Sequence, residues 1–233
     1  METRKALVTG AAHRLGRAMA LSLGRAGFDV AVHCNRSTEA AGEVVSDLRA
    51  MGRRASVLKA DLLDEAQVET LVPRAAEALG GALTLLVNNA SIFEEDSLPT
   101  VTRDSWDRHF ESNLRAPFVL IQRFAAQAPA PIRDTTGRPL AQALVVNMID
   151  QRVRKLTPQF MSYTLAKSAL WTLTRTAAQA LAPDVRVNAI GPGPTLQGAR
   201  QSEAAFAAQK VATLLRRGAD PLDVCAALDY LIQ

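Results

Sequence analysis

The sequence predicts an α/β chain, a single doubly wound parallel sheet with helices on both faces, from three observations. Six short apolar runs alternate with five longer segments of helical period, and a β-α-β order requires parallel strands joined by crossover helices. At 233 residues the length suits one sheet domain, residues 1–233, better than two. Hydrophobic residues make up 48% of the chain and charged residues 21%, which is enough apolar surface to bury such a sheet.

The first run, Ala6-Leu7-Val8, gives way to helical spacing over residues 15–27. Val30-Ala31-Val32 then leads to a helix over 37–51, the run 55–59 to one over 64–79, and the run 83–87 to a long helix over 103–128. The run 143–148 leads to a helix over 162–182, and 185–190 is the sixth strand. Strands apolar at nearly every position need cover on both faces, whereas the helical segments place apolar residues every three or four positions and bury one side. The polar, Pro-containing stretch 129–139, with Thr135-Thr136-Gly137, reads as a surface loop.

Composition excludes several classes of function. The formal net charge is +4, with acids interleaved among bases, so the coherent basic face that nucleic acid requires is not expected. Cys34 and Cys225 cannot make a disulfide framework, and His33 beside Cys34 lacks the spacing of metal ligands, so no metal is expected. No apolar run approaches the ~18–20 residues that span a bilayer, and residues 1–5 lead straight into a strand without a signal-peptide core. A cytoplasmic protein without membrane partners is expected.

In open parallel sheets ligands bind beyond the carboxyl ends of the strands. After the first strand stands Thr9-Gly10-Ala11-Ala12-His13-Arg14-Leu15-Gly16, a small-residue turn entering a helix, whose free N–H groups and dipole suit a pyrophosphate. Its glycines sit at 10 and 16, and Arg14 occupies the place where a third would be expected. After the second strand the chain offers His33-Cys34-Asn35-Arg36-Ser37 instead of the acid that would hold a ribose hydroxyl. Arg36 can fork onto a 2′-phosphate and Ser37 can add a hydrogen bond, which favours NADP over NAD; the plainer alternative for Arg36 is a solvated arginine.

Tyr163 and Lys167 lie four residues apart at the start of a strong helix, so both project from one face, and a neighbouring ammonium lowers a phenol's pKa. The strand before them ends in Asn147-Met148-Ile149-Asp150, thirteen residues ahead of Tyr163. Asp150 either serves this pair or merely caps a strand end or meets Arg152 or Arg154.

With these residues in order the chain resembles the short-chain dehydrogenase/reductase family, whose sheet is Rossmann-type. The turn Thr9 to Gly16, Asp61 after the third strand, Asn88-Asn89-Ala90 after the fourth, Asn113, Tyr163, Lys167 and Pro192-Gly193 carry the likeness. Within the family it looks most like the pteridine reductases, including the bacterial dihydromonapterin reductases, through Arg14, Arg36-Ser37, Ser91, Phe93 and above all Asp150, where most members have serine. The resemblance implies NADPH/NADP held by Gly10, Arg14, Leu15, Gly16, Asn35, Arg36, Ser37, Asp61, Leu62, Asn89, Ala90, Ser91, Lys167, Pro192 and Gly193. It implies catalysis by Asp150, Tyr163, Lys167 and Asn113, with Asn113 anchoring a water, and a pterin or folate substrate against Arg14, Ser91, Phe93, Asp150 and Tyr163. Phe93 would stack on the flat substrate; without the resemblance it reads as a core or lid residue.

Two departures accompany the likeness. The family's last strand would begin just as the chain reaches Tyr230-Leu231-Ile232-Gln233, so that strand is expected to be missing, which leaves the family's homo-oligomer, a tetramer or dimer, without one of its usual contacts. The polar segment 194–206 reads as a mobile substrate lid. An NADPH-dependent pteridine reductase is the leading expectation, a short-chain carbonyl (ketone) reductase the enzymatic rival, and a non-catalytic NADP(H)-binding sensor the rival without chemistry.

Overall fold

The computed structural model describes residues 3–198 and 202–233. Six parallel strands form the expected sheet: β1 (Lys5–Val8), β2 (Asp29–Cys34), β3 (Ala55–Lys59), β4 (Leu85–Asn88), and, numbered past a small hairpin, β7 (Ala143–Met148) and β8 (Val185–Ile190). Their order is β3-β2-β1-β4-β7-β8, so the chain starts in the middle, winds out to β3 and returns to the other side of β1. The crossover loops part between β1 and β4, and a crevice opens at the carboxyl ends of those two strands.

Each face has its own apolar layer. Helices α1 (Arg14–Arg25) and α2 (Thr38–Ala50) cover one side, where Met19, Leu23, Val44 and Leu48 meet Val8, Val30 and Val87 of the sheet. Helix α3 (Glu65–Leu79) covers the other, with Leu71 and Val72 against Leu7, Leu86 and Val145. Asp64 caps α3 through the N–H groups of Ala66 and Gln67, and Gly80 ends it in the left-handed conformation at φ +71°.

The long helix expected over 103–128 is interrupted. Helix α4 (Arg103–Phe110) passes through a π-helical turn, Glu111–Arg115, into α5 (Ala116–Gln127). The turn accommodates Asn113, whose side chain is drawn to the backbone of Ile92: its Nδ2 donates to the carbonyl at 2.9 Å and its Oδ1 accepts the N–H at 3.1 Å. Stretch 129–139 also holds more order than a plain loop, since β5 (Ile132–Arg133) and β6 (Pro139–Leu140) pair around a turn in which Asp134 Oδ1 accepts from Thr136 and Arg138.

Helix α6 (Met161–Leu181) follows β7, and beyond β8 come two helices that the apolar pattern did not announce, α7 (Glu203–Val211) and α8 (Pro221–Leu231). Asp220 and Asp223 form a capping box on α8 with Pro221 in its first turn. Residues 230 and 231 finish α8, whose end is held by Arg4 on the Ile232 carbonyl and Arg186 on that of Leu231. Among the described residues β8 is an edge strand with β7 its one neighbour, and no helix is long and apolar enough to cross a membrane.

Candidate active site

A cavity of about 680 Å³ occupies the crevice, and every sequence-predicted site residue lines it except Ser37 and Asn113. Its floor is the turn after β1. Gly10 stands at φ +61°, and a side chain there would press on the backbone of Ala90, with Cβ 2.9 Å from its Cα. At Gly16 a Cβ would fall 2.1 Å from the Gly10 carbonyl oxygen, so the turn closes on the helix only because both residues lack side chains. Arg14 adopts φ +53°, the left-handed backbone that a glycine there would supply, and its Nη2 donates to the Leu196 carbonyl at 2.8 Å. That contact ties the turn to the segment 194–198; residues 199–201 of the expected lid lie outside the described residues, and Phe206 and Gln209 of α7 also line the cavity.

Two side chains hold the turn. Asn89 Nδ2 donates to the carbonyls of Thr9 and Gly10, so this amide clamps the β1 and β4 ends together. His33 is fully enclosed. Its Nδ1 accepts the Gly10 N–H at 3.0 Å, which leaves Nε2–H to donate to the Ala60 carbonyl at 3.1 Å. Burial pushes its pKa down to about 4, so the ring is neutral. Arg36 lines the cavity beyond β2, whereas Ser37 only precedes α2 and makes no side-chain cap.

At the other end of the cavity, Tyr163 O–H donates to Asp150 Oδ2 at 2.9 Å, while Asp150 Oδ1 accepts the Arg152 N–H at 2.8 Å. The carboxylate therefore serves the tyrosine and caps the short turn Gln151–Val153, and it makes no ion pair among the described residues. The expected lowering of the phenol's pKa by the ammonium is reversed here. Burial and the adjacent Asp150 carboxylate raise the Tyr163 pKa well above its ordinary value, outweighing the opposite pull of Ser91 and Arg152. Lys167 instead turns to the Met148 carbonyl at 2.8 Å, and burial lowers its pKa to about 8 against the opposing charge of Asp150. An ammonium has three donors, so beside this bond Lys167 can also hold the hydroxyls of a nucleotide ribose. Asn113 lies under Ile92 outside the cavity wall, so its side chain fixes the loop after β4.

Phe93 lines the cavity and is 40% exposed. One of its faces is already taken by Phe160, with centroids 4.2 Å apart and planes 8° from parallel, and its flank meets Tyr163 at 4.7 Å in an edge contact. Phe160 was not anticipated, although it precedes Tyr163 by one helical turn. It holds φ +58°, costly for a non-glycine residue, and is kept there by its N–H bond to the Asp96 carbonyl at 2.7 Å. The buried Asp96 carboxylate also accepts from the Ser162 N–H and hydroxyl and from Ser105, so it caps α6 from a distant part of the chain. His109, enclosed and with its pKa lowered by burial, accepts the Glu94 N–H on Nε2 and donates from Nδ1 to Ser162 at 2.7 Å. A neutral ring of that tautomer explains why its 3.8 Å approach to Asp96 is not an ion pair.

Comparison with known proteins agrees with this geometry. The sequence profile described as short chain dehydrogenase matches residues 4–207. An uncharacterized oxidoreductase of Mycobacterium tuberculosis is 36% identical over 99% of this chain and 86% of its own length. The 3-oxoacyl-[acyl-carrier-protein] reductase FabG of Staphylococcus aureus is 32% identical over 82% of this chain and 74% of its own. Among solved structures, FolM alternative dihydrofolate reductase 1 from Brucella canis, complexed with NADP, superposes with a TM-score of 0.89 at 42% identity, covering 98% of this chain and 87% of that one.

Proposed function

From the premise that this chain belongs to the short-chain dehydrogenase family and is an NADP-dependent oxidoreductase, we propose that it reduces a dihydropterin or dihydrofolate to the tetrahydro form. The observation that carries the proposal is Asp150, a carboxylate hydrogen-bonded to the buried Tyr163 hydroxyl where a ketone reductase of this family has serine. The 42% identity to an alternative dihydrofolate reductase supports it.

The cradle of Gly10 and Gly16, Arg36 beyond β2 and the Lys167 ammonium fit a phosphorylated dinucleotide along the cavity floor. When bound, NADPH supplies the hydride. The residues handle the proton. Reducing a C=N bond requires one at nitrogen, and the raised pKa of Tyr163 keeps its hydroxyl protonated at neutral pH. Asp150, within 2.9 Å of that hydroxyl, takes a proton from solvent and restores it to Tyr163. Lys167 holds the ribose, Asn113 holds the Ile92 backbone beside Ser91, and Phe93 offers its free face to the flat ring. We infer a cytoplasmic homo-oligomer, with the exposed Phe118 of α5 and Leu165 of α6 as surfaces for a second copy.

Ketone reduction is the second reading, favoured by the 32% identity to 3-oxoacyl reductases. NADPH oxidation assayed with dihydrobiopterin, dihydromonapterin, dihydrofolate and a simple ketone separates the two. Asp150→Ser is expected to retain NADPH affinity and lose pterin reduction, least at acidic pH where solvent supplies the proton. Coincident pH profiles for kcat in the variant and the wild type would remove the carboxyl from the chemistry.

A further inference from the structure

The cavity wall carries a cation that neither the cofactor cradle nor the proton relay uses. Arg152 lines the cavity two residues after Asp150. Its Nη1 donates to the Thr157 hydroxyl, which is itself bonded to the Gln159 carbonyl, and its guanidinium carbon stands 4.7 Å from the Phe160 ring centroid and 5.9 Å from that of Phe93. The side chain is thus held by a hydroxyl and two aromatic rings, with little rotamer freedom left to lose on binding.

Its charge is not neutralised. No carboxylate lies within ion-pair reach of Arg152 among the described residues, and the neighbouring acids are engaged elsewhere. Asp150 accepts from Tyr163 and from the Arg152 backbone, and Glu94 pairs with Arg108 through two N–H donors at 3.0 and 3.3 Å. A planar fork with free donors, fixed at the edge of a ring-binding face, matches a carboxylate in geometry and in charge.

We propose that Arg152 binds a carboxylate on the tail of the substrate, so that the site selects a dihydropterin bearing an aromatic, glutamate-type tail over dihydropterins with neutral side chains. The inference rests on the pteridine reading, because it takes the free face of Phe93 as the seat of the ring. With the ring there, Arg152 stands beside the seat, 5.9 Å from the Phe93 centroid, and Arg36 and the glycine turn are left to the cofactor phosphates.

The test compares dihydrofolate with dihydrobiopterin in wild type, Arg152→Gln and Arg152→Lys, alongside calorimetric titration of p-aminobenzoyl-glutamate into the NADP-loaded protein. In Arg152→Gln the ratio of kcat/KM for dihydrofolate to that for dihydrobiopterin should fall about 10- to 100-fold, carried by KM, with Arg152→Lys intermediate. Wild type should bind p-aminobenzoyl-glutamate with an affinity that weakens as salt rises, and Arg152→Gln should bind it at least about tenfold more weakly. An unchanged ratio, or equal titrations in wild type and Arg152→Gln, overturns the proposal. Failure of the pteridine reading looks different: wild type then reduces neither dihydropterin, while the titration still decides whether Arg152 binds a carboxylate.

Discussion

Acidification should loosen the floor of the cofactor site before it unfolds the rest, through His33. The ring accepts the Gly10 N–H on one nitrogen and faces the Ala60 carbonyl with the other, so a second proton would set N–H against N–H in a site closed to water. The folded-state pKa is about 4 against 6.5 for the free side chain, so the unfolded chain binds the proton first and stability is lost as pH falls below about 6.5. That difference amounts to roughly 3 kcal/mol in the limit, most of it lost by pH ~4.5. Carboxylates titrate over the same range, so the measurement is a difference. His33→Gln keeps an acceptor and a donor on one planar group but cannot gain the charge. Urea unfolding of both proteins between pH ~7 and ~4.5 should show the wild type losing about 2–3 kcal/mol more than the variant, with NADPH affinity falling in parallel. Stability curves that run parallel across that range would refute the assignment of His33 as the neutral anchor of the glycine turn.

Arg36→Ala should weaken NADPH binding by about 10- to 150-fold while changing NADH little, since a charge-assisted phosphate contact contributes about 1.5–3 kcal/mol; equal losses in fluorescence titrations with both cofactors would assign the side chain to the fold. Tyr163→Phe should cut kcat by about 10²–10⁴-fold with NADPH affinity nearly intact, checked by single-turnover kinetics beside cofactor titration. Gly16→Ala should abolish dinucleotide binding, because its Cβ would lie 2.1 Å from the Gly10 oxygen and force the turn open; a variant that titrates like wild type would show that the turn yields.

The sheet was legible because fully covered parallel strands, such as Ala143–Met148, are apolar at nearly every residue and need no partner to be recognised. The cofactor turn was legible for a similar reason, being local backbone chemistry. What escaped depended on contacts between distant residues. The π-helical turn serves a bond from Asn113 to Ile92, and unbroken helical spacing conceals it. Phe160 owes its conformation to Asp96, and the direction of the Tyr163 pKa follows from burial that no local spacing reports. Helix α8 is a different case, since its cap was in plain view: Asp220, Pro221 and Asp223 form a local start signal that apolar spacing alone passes over.

The π-helical turn at Glu111–Arg115 is expected to set thermal robustness against catalytic use. Removing one residue from it would restore an unbroken ladder from α4 into α5, a change that sequence optimisation for stability alone would favour. The same deletion would rotate everything before it by about 100° relative to α5, carrying Asn113 away from Ile92 and slackening the loop that bears Ser91 and Phe93. Variants selected only for heat resistance are therefore expected to drift toward the regular helix and to lose turnover as they do so.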